Sequence, residues 1–193
     1  KNTDVSHYRL ALHLTLAFII LILLIWNYLK LTTQKKYKNI NKISYFLPFI
    51  FLILIIIQIT IGALVSGLDA GQIYQTWPMM DKSYFPDDSS FGDLFKKDVF
   101  ENPSLAQFIH RNVAYFIIIF FSIIFVIVFT NRNLIYLRKT VIYVFLALLL
   151  QFILGILTVL SGAQIAFASM HQIGSIILIT STLILVFKNS QIN

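Results

Sequence analysis

The chain alternates between long apolar runs and short polar connections. Helical segments are predicted at about 8–29, 45–65, 104–129, 140–160 and 165–187. Each is near the ~20 residues that cross a bilayer core of about 30 Å. Open Ile-rich strands would leave backbone groups unpaired in lipid, so the pattern reads as helix. Ser44 is placed to cap the second segment, and Pro48 falls in its first turn, where proline is tolerated. Ser104 and Gln107 fit the S-x-x-Q capping box and are expected to open the third segment. The fold class is all-α integral membrane, with five transmembrane helices of which the last four form a four-helix bundle.

The polar connections orient these segments. Lys30, Lys35, Lys36, Lys38 and Lys42 lie between the first and second, Arg132, Arg138 and Lys139 between the third and fourth, and Lys188 after the fifth. All eight acids, from Asp4 to Glu101, fall on the opposite side. The positive-inside rule puts the lysine-rich side in the cytoplasm and the N-terminus outside. A chain that starts at Lys1, outside and with no cleavable leader, asks for an odd number of spans upstream. The 66–103 connection is too long for an ordinary loop. Phe91, Leu94, Phe95 and Val99 follow Asp88-Ser89-Ser90 at helical spacing. They predict a short amphipathic helix in the outer interface, with a solvated loop as the equal alternative.

Composition narrows the chemistry. Of 193 residues 58% are hydrophobic and 12% charged, against roughly 25% charged in soluble domains. The net charge of +7 comes from cations beside apolar spans, which excludes a nucleic-acid footprint. The absence of cysteine excludes disulfides, iron–sulfur clusters, thiolate zinc sites and covalent haem attachment.

What remains is histidine. His13, His110 and His171 each lie about six residues inside a segment that starts outside, roughly 9 Å below its outer end. His7 lies before the first span and is expected to be exposed. Ionisable residues within spans are functional candidates by default, and two imidazoles at one depth on neighbouring helices fit axial ligation of a haem. A lone histidine bonding a neighbour is the plainer account of each. Zinc fits poorly, for no H-E-x-x-H and no carboxylate lies at this depth. Ala17, Ala114 and Gly174 share the faces of their histidines, where a flat macrocycle needs small residues and helix packing also favours them. Arg9 and Arg111 are placed to meet a propionate or to snorkel to headgroups.

Aligning His13 with His171 lays "RLALHLTLAFII" over "FASMHQIGSIIL". The first segment then reads as the last helix of an earlier four-helix unit, with three spans before it. With "GALVSGLDAGQIYQTWPMMDKSYFPDD", "QFIHRNVAYF", "ASMHQIGSIIL" and "VSHYRLALHL" in this order, the chain resembles haem A synthase, the cytochrome oxidase assembly enzyme, over nearly its whole length. The G-L-D-A-G and T-W-P stretch is the most specific part.

The resemblance implies an eight-helix, pseudo-symmetric fold. Residues 1–30 would be the last helix of the first bundle, 31–44 a cytoplasmic loop, and 45–193 the second bundle with outer loop 66–103. It implies a haem b between His110 and His171, and a substrate site for haem O with His13 as one ligand. The activity implied is oxidation of a porphyrin methyl to a formyl group by two hydroxylations and loss of water, in a bacterial plasma membrane rather than a mitochondrial one. The histidine sites would lie near the outer face. Haem O synthase and a second copy of the chain are the implied protein partners, in the lipid bilayer. The family's first half carries E-x-x-H-R with an important glutamate. Here the nearest match is Gln107-x-x-His110-Arg111, and an amide is no general base. The acid would lie upstream, leaving this chain incomplete for catalysis. Trp77, with Asp69 and Tyr74, is expected to close over the haem edge. The competing readings are a bis-histidine cytochrome b acting only in electron transfer, and a transporter or structural protein whose histidines merely pair.

Overall fold

A computed structural model describes residues 6–33, 43–44 and 46–190. Its framework is five helices: α1 (His7–Thr32), α2 (Phe46–Gly67), α3 (Pro103–Thr130), α4 (Ile135–Leu160) and α5 (Ile165–Ser190). All five are long and apolar enough to cross a membrane, and the chain is an all-α integral membrane protein. Asp4, Lys35, Lys36, Lys38 and Lys42, on which part of the orientation argument rests, lie outside the described residues, as does most of the 31–44 loop.

Contacts of α2 with α3, α3 with α4, α4 with α5 and α5 with α2 close a four-helix ring. Its histidine-bearing helices, α3 and α5, sit diagonally. Outside the ring, α1 packs on α2 and α5. Two contacts fix it there. Thr15 Oγ1 lies 2.9 Å from Thr60 Oγ1, and a Cβ on Gly67 would come within 2.7 Å of the His7 Cβ. His7 is thus part of α1 and half-buried, with Nε2 3.6 Å from Glu101 Oε2, and not the exposed residue expected. The sequence could not show that Gly67 lets the α1 backbone close over it.

Two boundaries differ from expectation. α3 is capped by Asn102, whose Oδ1 accepts from the backbone N–H of Ser104 at 2.9 Å and Leu105 at 3.3 Å, with Pro103 following. The expected Ser104/Gln107 box does not form. Ser104 Oγ donates to Asp88 at 2.6 Å and Gln107 Nε2 to the Tyr74 carbonyl at 3.0 Å, because the outer loop folds back onto this end. α4 starts at Ile135 rather than near 140, so Arg138 and Lys139 are helical. The Arg138 guanidinium reaches back to the Phe129 carbonyl at 2.9 Å, satisfying one of the orphan acceptors that end α3.

The two ends of the ring differ in character. Phe51, Phe121, Ile124, Val128, Leu137, Val141, Ile179 and Leu183 form the apolar core towards the ends remote from the 66–103 loop. Asn189 closes that end, accepting from the Ile43 N–H and donating to the Ile43 carbonyl, both at 3.1 Å. Lipid tails are as apolar as these side chains, so close packing and interhelical hydrogen bonds hold the helices together, not burial from water. The polar interior residues Gln58, His110, Gln151 and His171 stand in the half next to the 66–103 loop.

Candidate haem-ligand site

His110 is seven residues into α3 and His171 six into α5, about 10 and 9 Å from the N-terminal ends of these helices. Each ring lies on the helix preceding its own. A Cβ at Gly62 of α2 would be 3.0 Å from His110 Cε1, and one at Gly155 of α4 would be 3.2 Å from His171 Cε1. Any larger residue would push the imidazole away. Gln58 Nε2 donates to the His110 carbonyl at 3.0 Å and sits 3.4 Å from the ring Nε2. Gln151 Nε2 donates to the His171 carbonyl at 3.1 Å. Both imidazoles keep a buried Nδ1 with no partner. Six other buried side-chain atoms among the described residues, His7 Nε2 included, are also without a partner; what sets His110 and His171 apart is their place on diagonal helices of one ring, and imidazole nitrogens are donors of the kind a haem iron takes. No group of three His, Cys, Asp or Glu able to hold a metal ion occurs among the described residues, which leaves a two-nitrogen donor set.

The small residues expected beside the histidines have other surroundings. Gly174 clears space for Gln151, whose amide a Cβ there would strike. Ala114 is half-buried, and Ala17 is exposed together with His13. The bundle-facing side of α1 is Ala11 and Phe18, so the first histidine does not join the other two. Arg9 is exposed. Arg111 does not snorkel. The residue is 7% exposed, and its guanidinium donates to the carbonyls of Tyr74 (2.9 Å), Thr76 (2.9 Å) and Met79 (3.3 Å). With both terminal nitrogens so engaged, it is an anchor for the outer loop rather than a free propionate clamp. Gln58, Gly62, Gln151 and Gly155 escaped the sequence reading, although the identical Q-x-x-x-G spacing in two apolar helices was a usable signal.

The outer loop is a folded cover. The expected amphipathic helix is replaced by two short 3-10 turns, Phe91–Phe95 and Val99–Glu101. Phe91 and Phe95 are exposed, so these turns do not pack their apolar residues against the bundle. Ser90 and Asp93 cap each other. The hydrogen bond from Lys96, then those from Ser90, hold the Asp93 carboxyl well below the usual carboxylate range. The turn therefore keeps its cap above the ordinary carboxylate pKa and loses it only as pH falls through the depressed value. Ala70, Tyr74 and Met80 are the loop's own buried residues, and burial pushes the Tyr74 phenol up. Tyr84 donates to Asn112 at 2.6 Å, and Phe85 stands edge-on to Phe108.

Trp77 ties this cover to the seam between α3 and α4. Its indole N–H donates to the Tyr115 hydroxyl at 3.0 Å, and its ring meets Phe152 edge-on at 6.0 Å. The hydrogen bond contributes about 0.5–1.5 kcal/mol and the aromatic contact a similar amount. Trp77→Ala should thus speed proteolytic cleavage within 66–103 from the outer face by about tenfold, with helical circular dichroism unchanged. Cleavage at the wild-type rate would mean that Arg111 and Gln107 hold the loop without it.

Comparison with known proteins follows this geometry. The family model for a cytochrome oxidase assembly protein, COX15-CtaA, matches residues 1–183. A protein of Pelagibacter ubique (strain HTCC1062) named "Heme A synthase" is 44% identical over 190 residues, covering 98% of this chain and 55% of the relative. Proteins of the same name from Wolbachia pipientis wMel and Paracoccus denitrificans (strain Pd 1222) are 40% and 35% identical, over 93% and 91% of this chain and 50% and 47% of theirs. The chain spans about half the length of the curated relatives it matches. On a match that covers nearly every residue, the chain belongs to the COX15-CtaA family of cytochrome oxidase assembly proteins.

Proposed function

We propose that this chain is the haem b-binding part of a haem A synthase, with His110 and His171 as the axial ligands. The observation that carries the reading is the pair of buried, unpartnered imidazole nitrogens, each ring laid on a glycine of the preceding helix. Bound there, the group would supply one-electron transfer. The chain's own residues bind and enclose it. Gly62 and Gly155 seat the rings. The loop held by Arg111, Gln107 and Trp77 excludes water from the outer side.

The whole enzyme would convert haem O to haem A, oxidising one porphyrin methyl to a formyl group by two successive hydroxylations and loss of water, for cytochrome oxidase assembly. His13 is the contribution of α1 to the haem O site, and the catalytic acid would come from the part of the relatives that this chain does not span. Gln107 is excluded as that acid by its chemistry and by its hydrogen bond to Tyr74. The setting would be a bacterial plasma membrane, with the ligand histidines towards the outer face and haem O synthase as the supplier of substrate. The relatives' shared name favours this reading over a cytochrome b that only transfers electrons.

The test is expression of the full-length protein in a host that makes haem O but no haem A, followed by chromatography of extracted haems. Appearance of haem A supports the reading. A low-spin haem b spectrum without haem A would leave electron transfer alone.

A further inference from the structure

The two ligand histidines are held in the same way by two separate hairpins. Gln58 and Gly62 on α2 face His110 on α3, and Gln151 and Gly155 on α4 face His171 on α5. Both helix pairs run antiparallel with the glutamine and glycine on the first member. Both glutamines stand nine residues before the last residue of their helix, about 14 Å below the outer end. In both the glycine comes four residues later, one turn nearer the outside, on the same face. Each amide bonds the backbone carbonyl of its histidine. A glutamine in hydrocarbon is costly to leave unpaired, which is a reason for it to hold its one carbonyl.

We propose that Gln58 and Gln151 are matched positioning residues: each pins the main chain of its histidine to the preceding helix, while Gly62 or Gly155 sets how the imidazole lies on that helix. The α2–α3 and α4–α5 pairs are then equivalent ligand-presenting units. The relative orientation of the two imidazole planes is fixed by the bundle, not by the bound group. The units differ in one respect. Gln58 also approaches the His110 ring Nε2 at 3.4 Å, whereas Gln151 reaches its carbonyl through the space left by Gly174. This inference rests on the haem-binding reading above.

Gln58→Met and Gln151→Met remove the donor at nearly constant volume. Gly62→Ala and Gly155→Ala leave the donor and displace the ring. The full-length protein is purified with its haem, and the low-spin ferric g-values, the midpoint potential and the rate of haem loss to apomyoglobin are measured. Gln164→Met, on the turn before α5, is the control. All four variants should keep a low-spin signal that depends on His110 and His171, with shifted g-anisotropy and potential. Haem loss should be about 10- to 100-fold faster, the usual cost of losing a group that orients a metal ligand. The Met variants should act alike, and each Ala variant should move the signal in its own unit. If a Met variant does not accumulate, its glycine partner asks the same question of the same ring. Wild-type g-values and potential in the variants, with the wild-type signal present, would overturn this inference alone. A wild-type protein with no histidine-dependent low-spin signal would instead overturn the haem reading beneath it.

Discussion

Replacing either His110 or His171 by Ala should abolish the sharp low-spin α and β bands of the reduced protein, leaving a high-spin species or no bound haem. The reason is geometric. The two rings stand on diagonal helices at nearly the same depth. Each has a buried nitrogen that finds no protein partner. Were a haem held by this pair, both imidazoles would be needed to keep its iron low-spin, so either single change is expected to remove that state. Gln58, the nearest polar group to His110, is spent on a backbone carbonyl. His7→Ala is the informative control, because His7 is also a half-buried histidine but lies against Gly67 and Glu101 at the outer end of α1. Its loss should leave the bands unchanged. Unaltered spectra in both single mutants of the pair would sink the assignment.

The sequence carried the five membrane helices well because lipid leaves the backbone few choices. Runs of about twenty apolar residues had to be helices, and counting inward from their ends placed three histidines at one depth. Depth is a one-dimensional quantity, and rotation about the helix axis is not. Hence His13 looked equivalent to His110 and His171 in the sequence, yet it points away from α2 and α5. In a helix that is apolar nearly all round, periodicity does not say which face meets a neighbour. The same limit hid the seats of the rings. Ala114, Ala17 and Gly174 were chosen because they share a helix with a histidine, whereas Gly62 and Gly155 act from the helix before. The outer loop was legible as important through its length. Its hydrogen bonds were not, because Arg111, Gln107 and Ser104 each had a local explanation (snorkelling or capping) that tertiary contacts overrode. Asn102 with Pro103 was the better helix start, and α4 took in Arg138 and Lys139 because long basic side chains can reach out of a helix to nearby carbonyls and headgroups.

His13→Ala in the full-length protein should leave the low-spin haem b spectrum intact and stop formation of haem A. The first half of this expectation follows from the fold. His13 is exposed on α1, with no hydrogen bond among the described residues, and α1 lies outside the ring that holds His110 and His171. Removing its imidazole changes nothing that touches those rings. The second half follows from the cost of placing an imidazole where lipid would otherwise be. A polar residue in a span normally faces protein, a cavity or a functional group. The side of α1 that carries His13 and Ala17 is turned away from α2 and α5, so what it faces is supplied by something other than this bundle. If that is the haem O site, the ligand fixes the substrate so that one methyl group is presented to the oxidising chemistry. Orientation of this kind can lower a barrier by roughly 7–11 kcal/mol in favourable systems, so even a fraction of it would reduce haem A below detection. The measurement is chromatography of extracted haems alongside the optical spectrum of the same membranes. Accumulated haem O with a normal low-spin spectrum is the expected pair of results, and normal haem A would show that His13 takes no part in the substrate site.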